Sequence, residues 1–116
     1  MSLPIPDPVK NRICVLYKLT DESGLIIAGI ECRIGGGWVE MISLWVSEEN
    51  RKKQIGERLL FKAERTAKKK GCHSACLYTY SFQAPAFYEK HGYSIFGILE
   101  NYYKKHSKLY MKKRLV

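Results

Sequence analysis

The sequence predicts an α/β fold, α+β by some conventions, with a mixed central sheet and the element order βββαβαββ. Residues 41–46 form an apolar run without strict polar–apolar alternation, the pattern of a central strand covered on both faces. From Ile55 the apolar positions Ile55, Leu59, Leu60, Ala63 and Ala67 are separated by Lys, Arg and Glu, the spacing of a helix with one apolar stripe. Ser47, Glu48, Glu49 and Asn50 lie between the two with turn and cap chemistry, so the stretch reads strand, loop, helix.

In chain order, Pro4, Pro6 and Pro8 make residues 1–10 an extended, poorly ordered arm. Residues 12–19 and 25–34 read as strands joined by a turn at Asp21, Glu22, Ser23 and Gly24, with Gly29 a bulge or close-approach site. Gly35, Gly36 and Gly37 turn the chain into a third strand, residues 38–46, and short turns make the three an antiparallel meander. A helix over residues 53–70, capped by Gly71 and finished with Lys68, Lys69 and Lys70 at its negative end, covers the sheet. A strand over 73–80 follows, parallel to 38–46 through a right-handed crossover. Residues 83–91 form a short helix ended by Gly92, and strands over 93–100 and 108–115 flank a polar loop.

The 116 residues bound one domain with one core, spanning 1–116. No apolar run approaches the ~20 residues needed to cross a bilayer, and the opening MSLPIPDPVK lacks the basic head and apolar middle of a signal peptide. No membrane partner and a cytoplasmic location are expected. Net charge is +9, from 20 basic and 11 acidic residues. It favours an anionic partner (a phosphate-rich cofactor, nucleic acid or an acidic surface), or reflects a solvated helix face and a basic C-terminal tail. Cys14, Cys32, Cys72 and Cys76 form no CxxC pair and read as reduced thiols. His73, His91 and His106 are scattered, and no metal site is expected.

Arg51, Lys52, Lys53 and Gly56 stand where the long helix begins. A helix N-terminus offers backbone N–H groups without intrahelical partners and the positive end of the macrodipole, so these residues suit a phosphate cradle. The alternative is a charged, solvated first helical turn.

Two segments give the chain a family resemblance. Arg51-Lys52-Lys53-Gln54-Ile55-Gly56 corresponds to an acyl-CoA loop of the form Arg/Gln-x-x-Gly-x-Gly/Ala. Residues 81–93, SFQAPAFYEKHGY, correspond to Asn-x-x-Ala-x-x-Phe-Tyr-x-x-x-Gly-Phe/Tyr. Both in order, with a strand and a long helix placed as they are, resemble the GNAT superfamily of N-acetyltransferases from about Ile26 onward, and most of all small bacterial members with a QAPxFYEKxGY segment. Gln54 replaces the motif's first glycine, and Ser81 replaces its Asn. A side chain at Gln54 costs about 1 kcal/mol if the position requires positive φ. The resemblance also implies a strand and one or two helices before the second strand. Here only a turn separates the first two expected strands, so the acceptor side is expected to be open or completed by a second subunit of a homodimer.

The resemblance implies transfer of an acyl group from acetyl-CoA to a primary amine of a small molecule or peptide. Backbone N–H groups of Lys52, Lys53, Gln54, Ile55, Gly56 and Glu57 would hold the pyrophosphate, with Arg51, Lys52, Lys53 and Arg58 reaching outer phosphates. The main chain of Leu44, Trp45 and Val46 would pair with the pantetheine arm like an added strand, one N–H polarising the thioester carbonyl. Tyr88 occupies the register of a general acid; its alternative is packing. Glu40 is the carboxylate the resemblance favours as general base, or else a surface glutamate; Glu100 and His106 are weaker candidates.

Tyr78, Tyr80 and Phe82 alternate along one strand and so share a face, lining the acceptor pocket or packing the sheet. Tyr102 and Tyr103, beside Lys104 and Lys105, fall in a loop that would face the acceptor, where an acidic or aromatic molecule would suit them. Two readings stand against the enzyme. One is a CoA-holding module without turnover, favoured by Gln54 and by the missing N-terminal wall of the acceptor site. The other is a basic nucleic-acid-binding domain, weakened because the Lys run 68–70 is explained by a helix C-terminus.

Overall fold

The computed structural model describes residues 13–116. The arm expected over residues 1–10, and Arg12 at the start of the first expected strand, lie outside them. Strands β1 (Ile13–Thr20), β2 (Ile26–Gly35) and β3 (Trp38–Val46) precede a 3₁₀ turn at Glu48–Asn50 and helix α1 (Ile55–Lys69). Strand β4 (Ser74–Tyr80), helix α2 (Pro85–Lys90) and strands β5 (Ser94–Leu99) and β6 (Lys108–Arg114) complete the order βββαβαββ. The six strands make one mixed sheet in the order β1-β2-β3-β4-β6-β5.

The meander is antiparallel throughout, and β3 and β4 are parallel, as a crossover through α1 requires. The β1–β2 turn is fixed by Asp21, whose carboxylate accepts the N–H groups of Ser23 at 2.9 Å and Leu25 at 3.0 Å. The Ser23 hydroxyl, which donates to the same carboxylate at 2.6 Å, and after it the backbone bonds, hold the Asp21 carboxyl below its ordinary range. Gly29 makes a close approach and not a bulge: a Cβ there would stand 3.0 Å from Trp45 Nε1.

α1 begins at Ile55, two residues later than the spacing suggests. Lys52 and Gln54 adopt left-handed φ values of 71° and 61°, which no helix can include. At the other end the cap is Lys70, and Gly71, expected as the cap, follows it at φ 92°. The Cys72 N–H donates to the Ala67 carbonyl at 2.9 Å and the Gly71 N–H to that of Lys68 at 3.0 Å, the paired bonds of a Schellman motif. α2 is shorter than expected, starting at Pro85, whose missing N–H is harmless in a first turn.

One face of the sheet packs on α1. Ile30, Cys32, Val39, Met41, Ala75 and Met111 from the strands meet Leu59, Leu60, Ala63 and Ala67 from the helix, all buried. This apolar burial is the main source of stability, at about 25 cal/mol per Å² removed from water.

The feature that positions the site is a split in the sheet. β3 and β4 pair only at Trp38↔Ser74, Val39↔Ala75 and Glu40↔Cys76, then part. A register shift against β2 occurs there, with Glu31 opposite Ser43 and Cys32 opposite Met41, which leaves Ile42 as an extra residue in β3. Such a bulge bends its strand, and the bend coincides with the parting of β3 from β4.

Candidate functional site

The split runs to the first turn of α1. At its helix end, a cavity of about 590 Å³ is lined by Leu44, Trp45, Val46, Arg51, Gly56 and Tyr88, among others. A second, of about 370 Å³, lies around the helix mouth, with Arg51, Lys52, Gln54, Gly56, Glu57 and His91 in its wall. Val46, Arg51, Gly56 and Phe87 belong to both, so the two are continuous. A third, of about 270 Å³, lies between the parted strands and shares Leu44, Thr79, Gln83 and Tyr88 with the first.

The residues singled out in the acyl-CoA loop therefore come together, with two exceptions. Lys53 donates its Nζ to Asn50 Oδ1 at 3.2 Å on the exposed side of the loop and lines neither cavity. Arg58 lines a separate groove with Tyr17 and Lys62, on the β1 side of α1. Arg51 is positioned by its own chain: its Nε donates to the Val46 carbonyl at 3.2 Å.

The helix mouth carries no side-chain cap. The first intrahelical bond there is Arg58 N–H to the Gln54 carbonyl at 3.1 Å, leaving the N–H groups of Ile55, Gly56 and Glu57 without helical acceptors. Gly56 keeps the mouth open: a Cβ would fall 3.7 Å from both Phe87 Cζ and Val46 Cγ2, inside the cleft. Gln54 occupies the left-handed position that the motif gives to glycine. Ile55 lines the mouth but is buried, so only its main chain is available to a ligand.

Leu44, Trp45 and Val46 pair with Ile30, Gly29 and Ala28 on one side only. Their other edge faces the split, where β4 no longer pairs. Trp45 is 46% exposed and lies over Gly29, forming one wall.

Tyr88 sits where the first and third cavities meet. Its ring packs edge-on against Phe87 and Tyr93, and burial pushes its phenol above the ordinary tyrosine range. It is thus a neutral proton donor at neutral pH. Glu40 is not brought to it. That carboxylate stands where β3 and β4 still pair, opposite Cys76, and raises the Cys76 thiol after the larger effect of burial.

Three participants escaped the sequence reading. His91 closes the mouth from α2: its ring meets Phe61 and Phe87 edge-on, and Nε2 lies 3.6 Å from Glu57 Oε1 without a hydrogen-bond partner. Thr79 Oγ1 donates to Gln83 Oε1 at 2.9 Å, tying the end of β4 to the loop before α2. Phe87 walls both cavities. The segment QAPAFYEKH signalled a functional loop, but not which side chains face inward. Among the described residues, no group of three or more His, Cys, Asp or Glu could hold a metal ion, and no helix is long and apolar enough to cross a membrane.

The sequence profile of the acetyltransferase (GNAT) family matches residues 6–93. A blasticidin-S acetyltransferase from Streptomyces morookaense is 32% identical over 82 residues, 70% of this chain and 60% of that protein. The chain spans about 60% of the length of the curated relatives it matches. Among solved structures, an acetyltransferase from Bacillus cereus superposes with a TM-score of 0.85 at 37% identity, over 89% of this chain and 74% of the other. A Paia N-acetyltransferase from Thermoplasma acidophilum, in complex with coenzyme A, superposes with a TM-score of 0.74 at 26% identity, over 87% and 60%. The split sheet, the open helix mouth and the profile match over most of its length agree: the chain belongs to the acetyltransferase (GNAT) family.

Proposed function

We propose that this chain is an acetyl-CoA-dependent N-acetyltransferase that moves the acyl group directly to a primary amine of a small molecule or peptide. One observation carries the reading. The unpaired edge of Leu44, Trp45 and Val46 runs from the uncapped mouth of α1 to Tyr88, joining a phosphate-binding end to a proton donor. The residues present fit acetyl-CoA: Gly56 leaves the mouth clear, and free donors stand at the positive end of a helix dipole.

Bound acetyl-CoA would supply a thioester whose acyl carbon forms a bond to the amine nitrogen as its bond to sulfur breaks. The chain does the rest. N–H groups of Ile55, Gly56 and Glu57 bind phosphate oxygens, with Arg51 and Lys52 alongside. Main-chain groups of Leu44–Val46 hold the arm extended, and one N–H polarises the acyl oxygen, worth about 3 kcal/mol in comparable sites. Tyr88 gives its phenolic proton to the departing sulfur. The amine proton leaves through water or a base, for which Glu40 would have to act at a distance.

The test is release of free thiol from acetyl-CoA in the presence of a panel of amines. Acceptor-dependent thiol at a rate abolished by heat denaturation supports transfer. A second reading, a CoA-holding module without turnover, draws on Gln54 at the glycine position of the mouth; saturable CoA binding with no thiol from any amine would favour it. The free thiols of Cys14, Cys32, Cys72 and Cys76 suit a reducing compartment, and we place the protein in the cytoplasm. On the sheet face away from α1, the exposed Leu16 of β1 suits contact with a second subunit completing the acceptor side.

A further inference from the structure

On the sheet face away from α1, the register of β4 and β6 sets Tyr78 beside Tyr110 and Tyr80 beside Lys108. Lys108 is the hub of an aromatic patch. Its Nζ lies 4.0 Å from the ring centroid of Tyr78, 5.3 Å from Tyr110 and 5.4 Å from Tyr102. Tyr80 extends the patch, stacking on Phe82 at 5.3 Å with 8° between the planes and on Tyr102 at 5.5 Å with 27°. Phe82 is 57% exposed and Tyr78 43%, so much of this aromatic surface meets solvent.

The patch is continuous with the split. Tyr78 and Tyr80 line the 270 Å³ cavity together with Tyr88, so a molecule reaching Tyr88 from this side passes the patch. The residues lining this cavity and the 590 Å³ cavity include Arg51 and no carboxylate. By strand alternation the carboxylates of this face are Glu31 and Glu40, on β2 and at the paired end of β3, while Lys108 and Lys112 stand on β6. A polycation entering here would meet Lys108 and no carboxylate in the walls of either cavity.

We infer that the acceptor is an amine carried on a flat aromatic or heteroaromatic ring that also bears an anionic group. The ring lies on the Tyr78–Tyr80–Phe82 surface and the anion pairs with Lys108. This rests on the transfer reading above and narrows it to a substrate class.

Three amines test it: 4-(aminomethyl)benzoate, flat and anionic; 4-(aminomethyl)cyclohexanecarboxylate, of equal charge without a flat ring; and spermidine, a polycation. Each is titrated by calorimetry into the CoA-loaded protein, and thiol release with acetyl-CoA is measured in parallel. The benzoate is expected to bind about tenfold more tightly than the cyclohexane acid, and spermidine weakest. Lys108→Gln should weaken the benzoate roughly fivefold, with the unfolding temperature and CoA affinity unchanged. Phe82→Leu, at an exposed site, should narrow the gap between the two acids. Spermidine bound best, or two acids of equal affinity with no effect of Lys108→Gln, overturns the acceptor class and leaves acyl transfer standing. Failure of CoA itself to bind overturns the transfer reading, and this inference falls with it.

Discussion

Lys113 on β6 donates its Nζ to Glu64 on α1 at 3.0 Å, joining the helix to the far half of the sheet. Glu64 is buried, 6% exposed, and its Oε2 also accepts the hydroxyl of Tyr93 at 2.8 Å. Burial first, and the Glu64 carboxylate second, hold the Tyr93 phenol far above its ordinary range. Glu64→Gln removes the charge that both donors serve and should destabilise the protein by about 2 kcal/mol. A lower urea midpoint with an unchanged slope is the expected result.

Gly56 separates folding from cofactor binding. A methyl group there meets Phe87 and Val46 at ordinary contact distance, so the fold accepts it. Gly56→Ala should stabilise α1 by about 0.5–1 kcal/mol through helix propensity. The same methyl enters the cleft and should weaken CoA roughly tenfold. Thermal unfolding and CoA titration of one variant check both signs.

Tyr88→Phe should reduce turnover by about a hundredfold while leaving CoA affinity within a factor of two. Turnover unchanged in steady-state assays would remove the acid role. Because burial raises the Tyr88 phenol, the wild-type rate should not fall through loss of this proton until the pH passes the ordinary tyrosine range.

Much of this was legible before any coordinate. Helical spacing gave α1 because its apolar positions repeat on one face, apolar runs between turn residues gave the strands, and Arg51, Lys52, Gln54 and Gly56 of the loop line the cavity where α1 begins while Lys53 does not. The split did not show. It coincides with Ile42 standing as an extra residue in β3, which no local pattern marks in an apolar run. Arg58 also misled: helical rotation turns it toward Tyr17 and away from the mouth that Arg51 faces. Glu64 carried no local signal, since its partners Tyr93 and Lys113 are 29 and 49 residues away. The motif raised a left-handed Gln54 only as a condition; the residue does adopt φ 61°, which fixes where α1 can start.

Alkaline stability should follow the buried thiols and phenols. Burial, with nearby groups adding to it, pushes the Cys32 thiol from 9.0 up to about 11. A group raised on folding contributes stability fully present below its unfolded value and lost as pH rises toward its folded one. Unfolding free energy should therefore hold to about pH 9 and decline toward pH 11. Cys32→Ala should flatten part of that decline in urea titrations. Exposed Cys14 should react with a thiol reagent well before Cys32 or Cys72.

The most direct measurement is the thermal unfolding midpoint with acetyl-CoA, desulfo-CoA and ADP titrated separately. A ligand that grips the mouth of α1 at a hundred times its Kd stabilises by about 2.7 kcal/mol. A saturable rise is expected with acetyl-CoA and desulfo-CoA, a smaller one with ADP, and a reduced rise in Gly56→Ala. An unmoved midpoint at saturating acetyl-CoA would contradict cofactor binding at the mouth of α1.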